Sequence, residues 1–262
     1  MEEYLTVAVA AARAAGELQK SRLRSDLVIQ FKGTVDLVTE VDRQCEELIV
    51  GQLTTAFPDH DILAEENAYA DRQARCKWII DPLDGTTNFA HGFPWFAVSI
   101  AMEVDGEIRL GVIYHPMQDE LFTAIKGAGA FLNGERLAVS GRFPLISALL
   151  ATGFPYDRGP GSDDNFTLFR SFQLAARGVR RAGAAALDLA YVACGRFDGF
   201  WESHLKPWDV AAGKLLVEEA GGCVTNHAGE PYSVYDHRIL ATNGLVQNEM
   251  LAILKTGAAG RM

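Results

Sequence analysis

The stretch from Trp95 to Gly134 constrains the fold more than any other part of this chain. Trp95 to Val104, Ile108 to His115 and Asp119 to Ile125 are apolar runs of strand length, and Asp105-Gly106 separates the first two. Asp-Gly and Asn-Gly pairs supply the left-handed central residues of tight hairpin turns, so the region reads as an antiparallel meander, with Asn133-Gly134 marking a further turn. Helical and extended periods alternate on either side of it. Leu5, Ala8, Ala12, Ala15 and Leu18 recur at helical spacing, and a short extended piece, Leu27 to Phe31, follows. Thr39 with Asp42 three residues on reads as a capping box that opens a helix carrying Val41, Cys45, Leu48 and Ile49, and Pro58 ends that region. Later helices are expected near 163–176, 184–194, 208–220 and 244–255, with strands near 147–151, 197–202, 222–225 and 238–242. No repeat, low-complexity tract or long linker interrupts the chain, so a single domain over residues 1–262 is expected, of layered strands and helices.

Charge narrows the partners. The net charge of −10 argues against a broad nucleic-acid or anionic-membrane surface, which needs clustered Lys and Arg. Arg177, Arg180 and Arg181 are the one local basic cluster and read as a solvated helix end. The N-terminus opens with Glu2 and Glu3 and its Ala-rich run is broken by Arg13, which fits neither a signal peptide nor a membrane helix, so a cytoplasmic location is expected. Cys45, Cys76, Cys194 and Cys223 lack CxxC spacing and read as small core residues. The six histidines show no HxxxH or HxH spacing, which argues against zinc.

The chemistry concentrates in Trp78-Ile79-Ile80-Asp81-Pro82-Leu83-Asp84-Gly85-Thr86-Thr87-Asn88. An apolar run ends abruptly in two carboxylates three residues apart, with a backbone carbonyl between them, a donor set that suits a hard cation. Gly85-Thr86-Thr87 then offers backbone N–H groups at a helix start, a natural place for phosphate. A haloacid-dehalogenase-type phosphatase would space the carboxylates two apart, and an EF-hand would place Glu where Gly92 stands, so both readings fail. Taken singly, the residues also suit a turn with capping Asp and Thr; their packed combination does not follow from that. Glu65-Glu66 after Asp61 to Ala64, and Pro207-Trp208-Asp209 at a helix start, are acidic signals that would carry little weight alone.

Together these segments resemble the inositol monophosphatase family, within the lithium-sensitive, magnesium-dependent phosphatases. The resemblance spans Val35 to Thr39 with Asp42, Ala64-Glu65-Glu66, WIIDPLDGTTNF, Arg181 to Asp188, Phe200-Trp201-Glu202 and PWDVAAG, essentially end to end. It implies an α+β, layered αβαβα sandwich of the sugar-phosphatase type, a homodimer, and two or three Mg²⁺ per active site. Glu65, Asp81 and the Leu83 carbonyl would hold the first ion, and Asp81, Asp84 and Asp209 the second, with Glu65 also touching a weaker third. Thr86, oriented by Asp42, would help Glu65 position and deprotonate the attacking water. Amides of Gly85 and Thr86 would bind phosphate, Lys32 would approach the filled site, and Glu202 with Gly183, Ala184 and Ala185 would contact the alcohol. Many relatives carry Ser or Thr where this chain has Ala184, so one hydroxyl near the substrate is missing.

The physics agrees with that assignment. A phosphate dianion beside Asp42, Glu65, Asp81, Asp84 and Asp209 is strongly repelled unless divalent cations neutralise the cluster. Phosphoryl transfer needs positioning and charge neutralisation more than a covalent nucleophile, and no Cys or His nucleophile motif is present. The substrate implied is a small phosphorylated polyol, myo-inositol 1-phosphate first. Histidinol phosphate, fructose 1,6-bisphosphate, 3′-phosphoadenosine 5′-phosphate and a purely regulatory role remain the alternatives, a regulatory protein partner among them.

Overall fold

The structure is a computed structural model that describes residues 1–25, 29–31, 37–155 and 165–259. Lys32 and the first residues of the extended piece expected from Leu27 lie outside the described residues. The chain begins with α1 (Glu2–Arg22), an antiparallel ribbon of β1 (Ile29–Phe31) and β2 (Leu37–Thr39), and α2 (Glu40–Ala56). The capping box is formed: Asp42 accepts from the Thr39 N–H at 2.8 Å, and the Thr39 hydroxyl accepts from Val41 N–H. Then come β3 (Asp61–Ala64), β4 (Cys76–Asp84), the short α3 (Thr86–Ala90), and the meander β5 (Ala97–Val104), β6 (Glu107–His115), β7 (Glu120–Ile125), β8 (Gly129–Leu132) and β9 (Glu135–Arg136). The two expected turns are real, since Asp105, Gly106, Asn133 and Gly134 all have positive φ. The second half holds β10 (Leu149–Thr152), α4 (Phe166–Ala175), β11 (Gly178–Arg180), α5 (Ala185–Ala193), β12 (Gly199–Ser203), α6 (Pro207–Glu219), β13 (Cys223–Thr225), β14 (Arg238–Thr242) and α7 (Gln247–Ala259).

Strands β3 to β9 make a seven-stranded sheet in sequence order, parallel at β3–β4 and antiparallel elsewhere. The second sheet runs β11-β10-β12-β14-β13. Alternation along β4 sorts the core. Trp78 and Ile80 face α1 and α2, packing with Ala8, Ala12, Cys45 and Ile49, whereas Ile79 faces the opposite layer of α5 and α6. That middle layer also covers the second sheet through Leu187, Val210 and Leu216 against Phe200 and Ala241. The far face of the second sheet, with Leu150, Trp201 and Leu240, meets Phe172 of α4 and Met250 of α7. The order is therefore helix, sheet, helix, sheet, helix, the αβαβα sandwich expected.

Three expectations need correction. The long apolar strands from Phe96 to Ile125 need covering on both faces, which would lend a dimer weak support, but helices of the same chain cover both. Of the three arginines read as a helix end, only Arg177 follows one, exposed after the C-cap of α4; Arg180 lies on the edge strand β11 and Arg181 follows it, at a cavity described below. Of the four cysteines, all free, Cys45 alone is fully buried.

Candidate active site

The site begins where β4 runs out. Asp81 pairs with Ser99 on β5 and Asp84 with Ala97, so two residues of β4 face one of β5 between them, a bulge. Pro82, with no N–H to lose from the ladder, sits in it. Its carbonyl accepts from the buried Gln19 amide of α1 at 2.8 Å, and the Leu83 N–H donates to Asp81 Oδ1 at 3.0 Å. Gly85 turns the chain into α3 with φ of 95°, and a Cβ there would stand 2.9 Å from the Trp95 carbonyl oxygen, so glycine is required. The first N–H groups of α3, Thr86 among them, have no partner within so short a helix.

Helix α2 organises the opposite wall. The Thr86 hydroxyl lies 2.8 Å from Asp42 Oδ1 and 3.1 Å from the Leu83 carbonyl oxygen. Asp42 is buried, and burial lifts its carboxyl to about 6 against the lowering effect of its hydrogen bonds from Thr39 and Thr86. One helical turn on, the buried Glu46 carboxylate accepts from the Glu66 N–H at 2.8 Å and the Asn67 N–H at 2.9 Å. It also accepts from the Asn67 side chain at 2.8 Å and the Tyr69 hydroxyl at 3.1 Å. Glu65, at the end of β3, is thereby carried on a loop that Glu46 clamps.

Asp84 and Asp209 arrive from the middle layer's side. Asp84 Oδ2 accepts the Ala186 N–H at 2.7 Å and so caps α5, and Asp209 Oδ2 accepts the Lys206 N–H at 2.7 Å in a capping box at the start of α6. Ser99, opposite Asp81, donates to the Trp208 carbonyl at 3.1 Å and brings the head of α6 against the end of β4. Burial first, then the charges of Glu65, Asp84 and Asp209, holds the Asp81 carboxyl well above the ordinary range. Asp84 and Asp209 are raised for the same leading reason, with Glu65 adding repulsion at both and Asp84 adding it at Asp209. Mutually repelling carboxylates, buried at Asp81 and Asp84 and half-buried at Glu65 and Asp209, together with the backbone carbonyl of Leu83 make an oxygen-only donor set, which fits a hard divalent cation. Among the described residues no three acidic, His or Cys side chains already close round one point as ion ligands. Asp81, Asp84, Asp209 and Glu65 are the groups a cation would draw together.

Two hollows flank the cluster. One, of about 360 Å³, is lined by Glu65, Tyr69, Lys77 and Trp208. The other, of about 100 Å³, is lined by Asp84 and Asp209 together with Arg181, Asp188, Glu202 and Leu205. Gly183, Ala184 and Ala185 also border this second cavity. Asn88 ties their loop to the α3 turn, donating to the Trp95 and Ala182 carbonyls at 2.8 and 2.9 Å. Glu202 is buried at the end of β12; burial pushes its carboxyl up to about 8, Arg181 pulling down and Asp84 up. The sequence did not single out Gln19, Glu46, Ser99 or Asp188, and assigned Arg181 to the solvent. Gln19, Glu46, Ser99 and Asp188 sit inside ordinary helices or strands where no local pattern marks them, and Arg181, exposed after β11, lines the cavity as well; the Arg181 to Asp188 segment was visible only as part of the family resemblance.

Comparison with known proteins agrees with this geometry. The family model described as the inositol monophosphatase family matches residues 1–257. The chain is 49% identical over 250 residues to the Nus factor SuhB of Pseudomonas aeruginosa, covering 93% of this chain and 92% of that protein. It is 45% identical over 238 residues to an inositol-1-monophosphatase of Mesorhizobium japonicum, covering 90% and 89%. The crystal structure of extragenic suppressor protein suhB from Bartonella henselae superposes with a TM-score of 0.93 at 43% identity, covering 97% of this chain and 99% of that one.

Proposed function

Because the chain belongs to the inositol monophosphatase family, we propose that it is a Mg²⁺-dependent phosphomonoesterase whose first substrate is an inositol monophosphate, myo-inositol 1-phosphate. The observation that carries this reading is the gathering of Glu65, Asp81, Asp84 and Asp209 from separate segments beside a Thr86 hydroxyl that Asp42 holds at 2.8 Å. Glu65, Asp81 and the Leu83 carbonyl would hold one Mg²⁺, Asp81, Asp84 and Asp209 a second, with Glu65 available to a third. When bound, the ions neutralise the phosphate and the leaving oxygen and make water acidic enough to attack near neutral pH. Thr86, held by Asp42, would help Glu65 orient the water and take its proton. The P–O bond to the alcohol breaks as that to water forms, and the alkoxide takes up a proton. Gly85 and Thr86 amides would hold the phosphate oxygens, and Glu202 with Gly183, Ala184 and Ala185 the alcohol; Lys32 completes the set from the family pattern. The same reading takes residues 1–262 as one domain and the protein as a cytoplasmic homodimer.

A panel of phosphate esters assayed for released phosphate tests it, with histidinol phosphate, fructose 1,6-bisphosphate and 3′-phosphoadenosine 5′-phosphate as competitors. Inositol 1-phosphate should lead, Mg²⁺ should be required, and Li⁺ should inhibit; undiminished turnover in excess chelator overturns the metal-dependent reading. The Pseudomonas relative's name, a Nus factor, supports a second reading as a regulatory factor with a protein partner. Asp84→Asn separates the two, since it should remove most turnover and leave a purely regulatory function standing.

A further inference from the structure

Gly153 has no backbone reason to be glycine. It follows β10 in the wall of the smaller cavity, and its φ is not positive, so alanine can adopt the same backbone. What excludes a side chain there is the Glu202 carboxyl. A Cβ on Gly153 would stand 2.1 Å from Glu202 Oε1 and 2.3 Å from both Cδ and Oε2. The carboxyl thus occupies the space that the missing Cβ leaves. Being the movable end of its side chain, it is the group that yields to a methyl.

A second residue holds that arrangement in place. Asn165 stands at the N-cap of α4, where asparagine ordinarily bonds the first N–H groups of the helix, yet its side chain makes no such bond. It turns to the ends of β10 and β12 instead, with 3% of it exposed. Its Nδ2 donates to the Gly153 carbonyl at 2.6 Å and to the Thr152 hydroxyl at 2.9 Å, and its Oδ1 accepts from Trp201 Nε1 at 2.8 Å. The Thr152 hydroxyl donates in turn to the Trp201 carbonyl at 2.6 Å, across the parallel pair that Thr152 and Trp201 form. Gly153 follows Thr152 and Glu202 follows Trp201. One buried amide therefore ties together the two strand ends that set the glycine against the carboxyl.

We propose that Gly153 and Asn165 determine which alcohol the site accepts, Gly153 by leaving the Glu202 carboxyl its place in the cavity wall and Asn165 by locking the strand ends that carry both. The inference rests on the phosphatase reading with Glu202 as its alcohol contact. Both are positioning residues that act through Glu202.

The test measures phosphate released from myo-inositol 1-phosphate and from phenyl phosphate in excess Mg²⁺. Gly153→Ala should lower kcat/KM for the inositol ester by roughly ten- to a hundredfold, mostly through KM, the size of a lost buried hydrogen-bonding partner. Phenyl phosphate, which has no hydroxyl for Glu202, should be turned over as before. In a Glu202→Ala background, where the carboxyl is gone, the same substitution should cost nothing further. Asn165→Asp, the second variant should the first fail to fold, keeps the acceptor for Trp201 and loses both donors. It should show the same split between the esters and the same dependence on Glu202. If wild type releases no phosphate from the inositol ester, the substrate reading falls and this inference with it. If wild type hydrolyses both esters while the variants lose equally on both, lose nothing on the inositol ester, or lose as much in the Glu202→Ala background, the phosphatase reading stands and the role of Gly153 and Asn165 is overturned.

Discussion

Asp84 has two partners to satisfy. Its Oδ2 caps α5 through Ala186, while its charge adds to the repulsion around Asp81 and Asp209. Asparagine keeps an acceptor oxygen for the cap and loses the charge, so Asp84→Asn separates the two jobs. The rate should fall on the order of a hundredfold or more, as loss of an anionic ligand to a catalytic cation does. The melting temperature should hold or rise, because one buried like charge is removed. Asp209→Asn should behave in the same way, since its cap to Lys206 N–H also survives as an amide. A large drop in melting temperature with normal activity of the folded fraction would make these residues caps and nothing more. Legibility at this scale followed local context. Asp81, Asp84 and Asp209 could be read because each interrupts an apolar strand or heads a helix after proline. Asp188 could not, because an acid in the first turn of α5 looks like a dipole partner until its buried, unpaired oxygen is seen.

Helix α2 serves the site at two successive turns, with Asp42 on Thr86 and Glu46 on the loop behind Glu65. Glutamine at position 46 must turn its NH₂ toward a backbone N–H, leaving a buried donor unpaired at a cost of about 1–3 kcal/mol. Glu46→Gln should lower the melting temperature by several degrees, roughly 2–4 °C per kcal/mol for a chain near this size. It should also reduce kcat and raise the Mg²⁺ concentration needed for half-maximal rate, because Glu65 loses its anchor. Loss of stability with an unchanged Mg²⁺ requirement would confine Glu46 to folding. The elements themselves were largely legible, helices from apolar spacing and hairpins from Asp-Gly and Asn-Gly pairs. Strand β11 escaped because three residues, Gly178 to Arg180, are too few to show a period, and the arginines around it then looked like a helix end.

Across the whole molecule, the layers that cover both faces of the first sheet come from one chain, so its apolar strands say nothing about a dimer. Light scattering at micromolar concentration settles that point, with twice the 28.5 kDa chain mass expected from the family reading. Deep burial also traps a titratable group that is not one of the site's carboxylates. His115 ends β6 with its side chain buried, both ring nitrogens unpartnered and the Trp95 ring 5.3 Å away. Burial lowers its pKa to about 4, with Glu120 pulling up and Arg196 down. The unfolded chain titrates this histidine near 6.5. Between those values the unfolded state binds a proton that the folded state refuses, so stability falls as pH drops from about 6.5 toward 4. The raised carboxylates of the site carry the opposite sign, for their folded forms take up protons first. The observable is therefore the difference between wild type and His115→Gln in urea unfolding at pH 7.5 and pH 5. Wild type should lose about 2 kcal/mol more than the variant over that interval, the linkage expected for a histidine so shifted. Equal losses in the two proteins would mean that His115 finds a proton partner in the fold and is not held neutral.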